Sequence, residues 1–291
     1  MRVSASRLND AIRRSELYFD GAGRHRLFGR TWEGANVRRE IVLVHGYAEH
    51  SGRYDHVGAW LAARGARVHG YDHQGHGLSE GVRCHVRRFS DFLDDLDRVV
   101  EQVRGGAAGA PVYVIGHSMG GLIGCAWARE RHPELSGLII SSPALAAPGG
   151  PSPGRLAALR LLRVVAPRLS IASELDAQGL SRDPAVVEAY LADPLVHLRM
   201  TLSLGAELFA AMQRTAGGGA ELRLPTLMLQ GEDDPICSPA ASRAFAESAP
   251  DCRYRSYPGL RHEIFNEPER ESVFADLQAW IEEREGAGGR A

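Results

Sequence analysis

The sequence predicts an α/β protein: a mostly parallel, eight-stranded sheet with helices on both faces and an inserted helical cap. Three observations predict it. Short apolar, β-branched runs alternate with amphipathic helical stretches over residues 41–143 and again over 226–285, the pattern of strand–helix–strand crossovers. Residues 144–220 break that alternation with proline and glycine, then helical sequence, and hold no convincing strand. Finally, the run 111–115 stops at a glycine and passes into an apolar-faced helix from Leu122, with Gly116-His117-Ser118-Met119-Gly120-Gly121 at the corner.

Residues 16–20 and 26–32 flank a glycine-containing turn and predict an antiparallel hairpin. The buried strand 41–44 ends in His45-Gly46, and a helix follows at 54–64 with Val57, Trp60 and Leu61 on one side. Strand 67–72 leads into a polar, glycine-rich loop. Ser90 is placed to cap helix 91–104, where Phe92, Leu93, Leu96, Val99, Val100 and Val103 form a 3.6-period stripe. After the strand at 111–115 come a helix to about residue 131 and the strand opening Gly137-Leu138-Ile139-Ile140-Ser141. Beyond residue 220 the spacing predicts strand 226–229, helix 239–248, strand 253–257 and helix 268–285, with a frayed tail from Gly286. The division is thus a core of residues 1–143 and 221–291 and a cap of 144–220.

Within the cap, Leu159, Leu162, Val165 and Leu169 share one helical face, Arg160, Arg163 and Arg168 lie toward the other, and no acidic residue occurs from Pro148 to Ser173. The first expectation is an apolar face over the pocket with arginines in water. The second is transient contact with a lipid surface.

A formal net charge of −2 gives no global case for nucleic acid or a strongly anionic partner. All 34 basic residues are arginine, which reads as codon bias. Cys84, Cys125, Cys237 and Cys252 show neither paired nor metal-type spacing and read as free thiols of a reducing compartment. Residues 1–8 hold no signal-type apolar run, so the expected location is cytoplasmic, peripheral at a membrane surface if the cap docks there. The sequence does not fix the oligomeric state. His69, His73 and His76 lie close together, but with only Asp72 beside them and glycines between they read as loop-fixing groups rather than a metal site.

The chemistry is carried by Gly-x-Ser-x-Gly at a strand-to-helix corner, where glycines relieve crowding and the serine hydroxyl projects above the sheet as a nucleophile. A serine nucleophile needs a histidine base and a carboxylate to orient it. Three acids follow strand 226–229, in Glu232-Asp233-Asp234, and Asp234 is chosen over Asp233 and Glu232. His262, after the last strand, is the only histidine beyond residue 197 and is the base. The two backbone donors of an oxyanion hole are Met119 N–H, next after the nucleophile, and Tyr47 N–H, from the loop after strand 41–44.

The segment His45-Gly46-Tyr47-Ala48-Glu49-His50-Ser51-Gly52-Arg53-Tyr54 resembles the oxyanion loop of the monoacylglycerol lipase family of serine α/β-hydrolases. Asp72-His73-Gln74-Gly75-His76-Gly77-Leu78-Ser79 resembles that family's Asp-x-x-Gly-His-Gly-x-Ser loop, and Gly116–Gly121 its nucleophile elbow. Gln230-Gly231-Glu232-Asp233-Asp234-Pro235-Ile236-Cys237 is similar to its acid loop and carries the family aspartate onto Asp234, and Asp193-Pro194-Leu195-Val196 adds a match inside the cap. One departure is Ala48, where the family commonly has glycine. The resemblance implies the α/β-hydrolase fold and cofactor-free hydrolysis of a small lipid ester, a monoacylglycerol, to glycerol and fatty acid, through an acyl-enzyme on Ser118. Glu49, Arg53 and His117 lie beside the site in sequence, as glycerol contacts or as a buried ion pair under the loop. The same triad also serves lysophospholipases, broad carboxylesterases, C–C bond hydrolases and acyltransferases. A ligand-binding protein without turnover has no need for all three of Ser118, Asp234 and His262.

Overall fold

The computed structural model describes residues 2–9, 12–23 and 25–288. Strands β1 (Arg2–Asn9), β2 (Ile12–Asp20), β3 (Arg26–Glu33), β4 (Arg39–Val44), β5 (Ala66–Tyr71), β6 (Val112–His117), β7 (Gly137–Ser141), β10 (Thr226–Gly231) and β11 (Cys252–Tyr257) form one sheet in the order β1-β2-β3-β5-β4-β6-β7-β10-β11. Neighbours from β5 through β11 pair in parallel, and β1, β2 and β3 join antiparallel at one edge. The eight expected strands are all present. The edge strand β1, whose polar sequence shows no apolar alternation, was not expected.

Each central strand is buried on both faces, so period-two alternation sorts its side chains into two cores. Val42, Val44, Val114, Leu138, Ile140 and Met228 pack with α2 (Ser90–Gly106), α3 (Met119–Arg131) and α7 (Pro239–Ser248). Ile41, Leu43, Tyr113, Ile115, Ile139, Leu227 and Leu229 pack with α1 (Asp55–Ala62) and α8 (Arg270–Gly288). β5 lies on one side of β4 and β6 on the other, so the winding reverses there. The crevice at the C-terminal ends of β4 and β6 is the switch point at which open α/β sheets bind ligands.

Residues 144–220 add nothing to this sheet. They form α4 (Pro153–Val165), α5 (Pro184–Ala192) and α6 (Leu202–Ala216), with a two-stranded ribbon of β8 (Ser170–Ala172) and β9 (Arg199–Thr201). The ribbon corrects the expectation of no strand; three residues per strand are too few to show alternation. α6 is anchored in the first core through Leu204, Leu208 and Met212. The apolar face of α4 does not lie over a pocket. Arg163 pairs with Glu207 and Arg160, itself exposed, donates to Gln213 Oε1 at 2.9 Å, both acceptors on α6, and the half-buried side of α4 carries Leu156, Leu159 and Arg163. Leu162, Val165 and Leu169 then face solvent, together with Leu161, Val164 and Ile171.

Two terminal details also differ. Ser90 is the first residue of α2 rather than its cap; Phe89 holds the cap position with no side-chain bond, and its N–H donates to Glu207 Oε2 at 2.8 Å. The expected frayed tail is helical to Gly288, and residues 289–291 lie outside the described residues.

Candidate active site

Ser118 sits between β6 and α3 with φ 54° and ψ −116°, a conformation that costs a non-glycine residue about 1–3 kcal/mol. The corner closes because of its glycines. A Cβ at Gly116 would stand 2.5 Å from the Gly120 carbonyl oxygen, and one at Gly120 would stand 2.1 Å from that of Val44. Backbone bonds hold the turn: Ser118 N–H to Ser141 O at 3.0 Å, and Ala144 N–H to Ser118 O at 3.0 Å. Ser118 is half-buried while His117 and Met119 are fully covered.

Past β10, Asp234 turns inward and Asp233 and Glu232 remain exposed. Asp234 Oδ1 accepts the N–H groups of Ile236 at 2.8 Å and Cys237 at 2.9 Å, and Oδ2 accepts Gln230 Nε2 at 2.9 Å and His262 Nδ1 at 2.8 Å. Gly231 allows the acid and histidine loops to meet, since a Cβ there would lie 2.2 Å from the Arg261 carbonyl oxygen. Burial pushes the Asp234 carboxyl up, but the His262 ring and the two N–H donors outweigh it and hold it below the ordinary range. Burial likewise disfavours charge on His262, and the Asp234 carboxylate reverses that and holds the imidazole above its ordinary range. Because an ionised carboxylate only accepts, Nδ1 carries the proton and Nε2 is left with a lone pair.

The loop after β4 passes over the serine. A Cβ at Gly46 would lie 3.2 Å from Ser118 Cβ and 2.7 Å from Glu49 Oε1. The loop turns through Ala48 at φ 59°, the left-handed position that glycine takes more easily. Glu49 fixes it by accepting Gly46 N–H at 2.5 Å and Tyr54 OH at 2.7 Å. Met119, as the first residue of α3, has an N–H without an intrahelical acceptor. Asp72 ties the glycine-rich loop to this one, accepting Ser51 N–H and Leu78 N–H, each at 2.8 Å.

Glu49 and Arg53 are drawn into a buried ionic network. Arg53 donates to Glu49 Oε2 at 2.7 Å and to both oxygens of Glu263 at 2.5 and 2.8 Å, with the Tyr190 ring 4.6 Å from its guanidinium carbon. His117 meets Ser141 Oγ at 3.2 Å through Nδ1, and its ring stands 4.7 Å from that of His262.

Several site contacts have no local sequence signal, because they depend on residues 144–220 folding back onto the core. The carbonyls of Gly179 and Leu180 accept His262 N–H at 3.4 Å and Glu263 N–H at 2.7 Å. His50 Nε2 meets Asp193 Oδ2 at 2.8 Å, linking the loop after β4 to the end of α5. Cys237, given no role from sequence, is buried with its sulfur within 4.8 Å of a ligand atom of His262 and of Asp234. The Asp-x-x-Cys spacing on one turn was the only available signal.

The three histidines do not converge on a common point. His69 turns to Glu40 Oε2 at 2.7 Å, His73 Nε2 donates to His45 O at 3.0 Å, and His76 Nδ1 to Gln74 O at 3.1 Å. Burial holds His73 at about 3 and His76 at about 4, with His45 well below its ordinary value. Burial also takes His117 to about 3. All four stay neutral in the folded state while the unfolded chain takes up protons near pH 6.5. Stability therefore falls as pH drops below 6.5 toward 4. Asp95, raised by burial to about 6, and Glu49, also raised by burial, oppose this by binding protons early in the folded state. The four withheld protons outweigh the two carboxyls, so stability is lower at pH 5 than at pH 7. The urea midpoint should be lower at pH 5 than at pH 7, and equal midpoints would contradict this balance.

A family model described as serine aminopeptidase, S33 matches residues 35–269. The chain is 39% identical over 272 residues to a monoacylglycerol lipase of Mycolicibacterium smegmatis, covering 92% of this chain and 97% of the relative. It is 34% identical to the human monoglyceride lipase, over 91% of this chain and 89% of that one. The crystal structure of Paleococcus ferrophilus monoacylglycerol lipase superposes with a TM-score of 0.81 at 33% identity, covering 89% of this chain and 99% of the other. With its elbow, acid loop and histidine loop assembled at the switch point of an α/β-hydrolase sheet, the chain belongs to the monoacylglycerol lipase family of serine hydrolases.

Proposed function

We propose that the protein hydrolyses the carboxylic ester of monoacylglycerols to glycerol and a free fatty acid. The observation that carries the reading is the 2.8 Å contact between His262 Nδ1 and Asp234 Oδ2 beside a strained, half-buried Ser118. Ser118 Oγ attacks the ester carbonyl while His262 Nε2 takes its proton, and Asp234 stabilises the imidazolium. The Tyr47 and Met119 amides hold the oxyanion. Glycerol leaves with the proton from His262, and water, activated by the same nitrogen, cleaves the acyl-enzyme to free acid. No step calls for a metal or cofactor. His117, beside His262, contacts the glycerol. Glu49 and Arg53 border it and, being bonded to each other and to Gly46 and Glu263, also hold the loop in place. Residues 144–220 act as the cap, with the acyl chain beneath it. The test is glycerol release from monoacylglycerols of graded chain length beside p-nitrophenyl acetate and a lysophospholipid. Efficiency rising with chain length on monoacylglycerols supports the reading. Preference for the lysophospholipid or for acetate overturns it.

The exposed face of α4 and β8 is the part of the cap that meets a lipid surface. Val164 is 75% and Val165 81% exposed, in a patch with Leu161, Leu162, Leu169 and Ile171. Exposed apolar side chains on segments that also carry the exposed Arg168 and Arg199 suit an anionic lipid interface. The cysteines form no disulfide and, among the described residues, no helix is long and apolar enough to cross a membrane, which supports a cytoplasmic protein peripheral at a membrane. Burying two valines contributes roughly 3 kcal/mol. The double variant Val164→Glu with Val165→Glu should therefore bind anionic vesicles about a hundredfold more weakly, while turning over dissolved p-nitrophenyl acetate as before. Unchanged vesicle binding in a flotation assay would remove the patch from this role.

A further inference from the structure

Cys237 takes no part in the hydrolytic steps, yet its thiol faces the relay. We propose that Cys237, His262 and Asp234 form an inhibitory site for a thiophilic divalent cation, zinc being the fitting one. All three are buried, each offers one ligand atom, and these atoms lie within 4.8 Å of one another. Tetrahedral zinc, with bonds of about 2.0–2.3 Å, needs ligand atoms about 3.3–3.7 Å apart. The widest pair has to close by about 1 Å, and His262 Nδ1 and Asp234 Oδ2, now 2.8 Å apart, have to open by about 0.5 Å where those two atoms are the ligands.

The scaffold for this is already rigid. The N–H groups of Ile236 and Cys237 bond Asp234 Oδ1, so the Asp-x-x-Cys turn has one shape, and His262 is held to the same carboxylate. Charge fits as well. A thiolate and a carboxylate neutralise the dication, so no net charge is buried. The nearby Arg53 is already engaged by Glu49 and Glu263. A thiolate with an imidazole selects zinc over magnesium or calcium, which need oxygen ligands.

On binding, the Cys237 thiol gives its proton to buffer. Its sulfur, one His262 nitrogen and one Asp234 oxygen take three of the four tetrahedral positions, the fourth keeps one water, and the remaining waters of the hexa-aqua ion leave. Either ring nitrogen breaks the relay. Taken at Nε2, the base is occupied; taken at Nδ1, the ring proton moves to Nε2, which no longer accepts from Ser118. Metal binding does not depend on the proposed function, whereas the inhibition rests on His262 acting as base.

The experiment uses cobalt(II) as a spectroscopic probe and zinc as inhibitor. The wild-type protein and Ser118→Ala should both show a thiolate-to-cobalt absorption band, lost in Cys237→Ser and Cys237→Ala. Zinc should inhibit the wild type reversibly, with recovery on adding EDTA, and magnesium should not. Half-inhibition of the cysteine variants, each against its own zinc-free rate, should need at least tenfold more zinc. An absent cobalt band, or cysteine variants as zinc-sensitive as the wild type, overturns the site. A Cys237-dependent band with zinc-insensitive turnover upholds the metal site and overturns the role of His262 as base.

Discussion

Ser118→Ala should leave a folded protein whose kcat on a monoacylglycerol is lower by about a million-fold, the loss found when a serine nucleophile is removed from such a relay. The fold is safe because the turn depends on Gly116 and Gly120 rather than on the hydroxyl. A Cβ at either would enter the carbonyls of Gly120 and Val44, while Ser118 itself already tolerates φ 54°. That strain adds a second readout. Ser118→Gly should be as inactive as the alanine variant but more stable by about 1–2 kcal/mol, since glycine adopts positive φ without the Cβ penalty. Residual kcat above about a thousandth of wild type would mean that another group is the nucleophile.

Asp234→Asn should cost about 10⁴ in kcat, and Asp233→Asn little. The separation follows from placement: Asp234 Oδ2 lies 2.8 Å from His262 Nδ1, whereas the Asp233 side chain is exposed. An asparagine can offer its NH₂ to Nδ1, which moves the ring proton to Nε2 and removes the base. The pH profile separates this from a packing fault. Asp234 holds the His262 imidazole above its ordinary value against the opposing effect of burial. Activity needs neutral His262, so in the wild type it rises with pH along a limb centred above pH 6.5. In Asp234→Asn the carboxylate charge is gone and burial dominates, so the limb of the residual activity should move to lower pH. The reverse ranking of the two variants would transfer the orienting role to Asp233.

The parts of this site that were legible in the sequence are those set by local backbone geometry. Gly-x-Ser-x-Gly after a buried run demands a tight corner, and Gly-x-x-Asp after β10 demands a loop that can approach another chain segment. What stayed hidden depends on which surfaces meet. The stripe on α4 was visible, but a stripe does not say which side faces inward. Here Leu159 and Arg163 face α6, while Leu162, Val165 and Leu169 of the same stripe are exposed. Glu49 and Arg53 were visible as charges near the serine, but their saturation needed Glu263, more than two hundred residues away in sequence. The ribbon of β8 and β9 was too short for any periodicity, and Cys237 was one thiol among four until Asp234 and His262 came together around it.

The central claim is that Ser118 is made nucleophilic by His262 and Asp234. Its most direct measurement is labelling with a fluorophosphonate followed by peptide mass spectrometry. The account predicts one label per chain, on the peptide carrying Gly116-His117-Ser118-Met119-Gly120, at a rate reduced by several orders of magnitude in His262→Ala. No covalent adduct, a label on a different residue, or labelling of Ser118 at an unchanged rate in His262→Ala would contradict it.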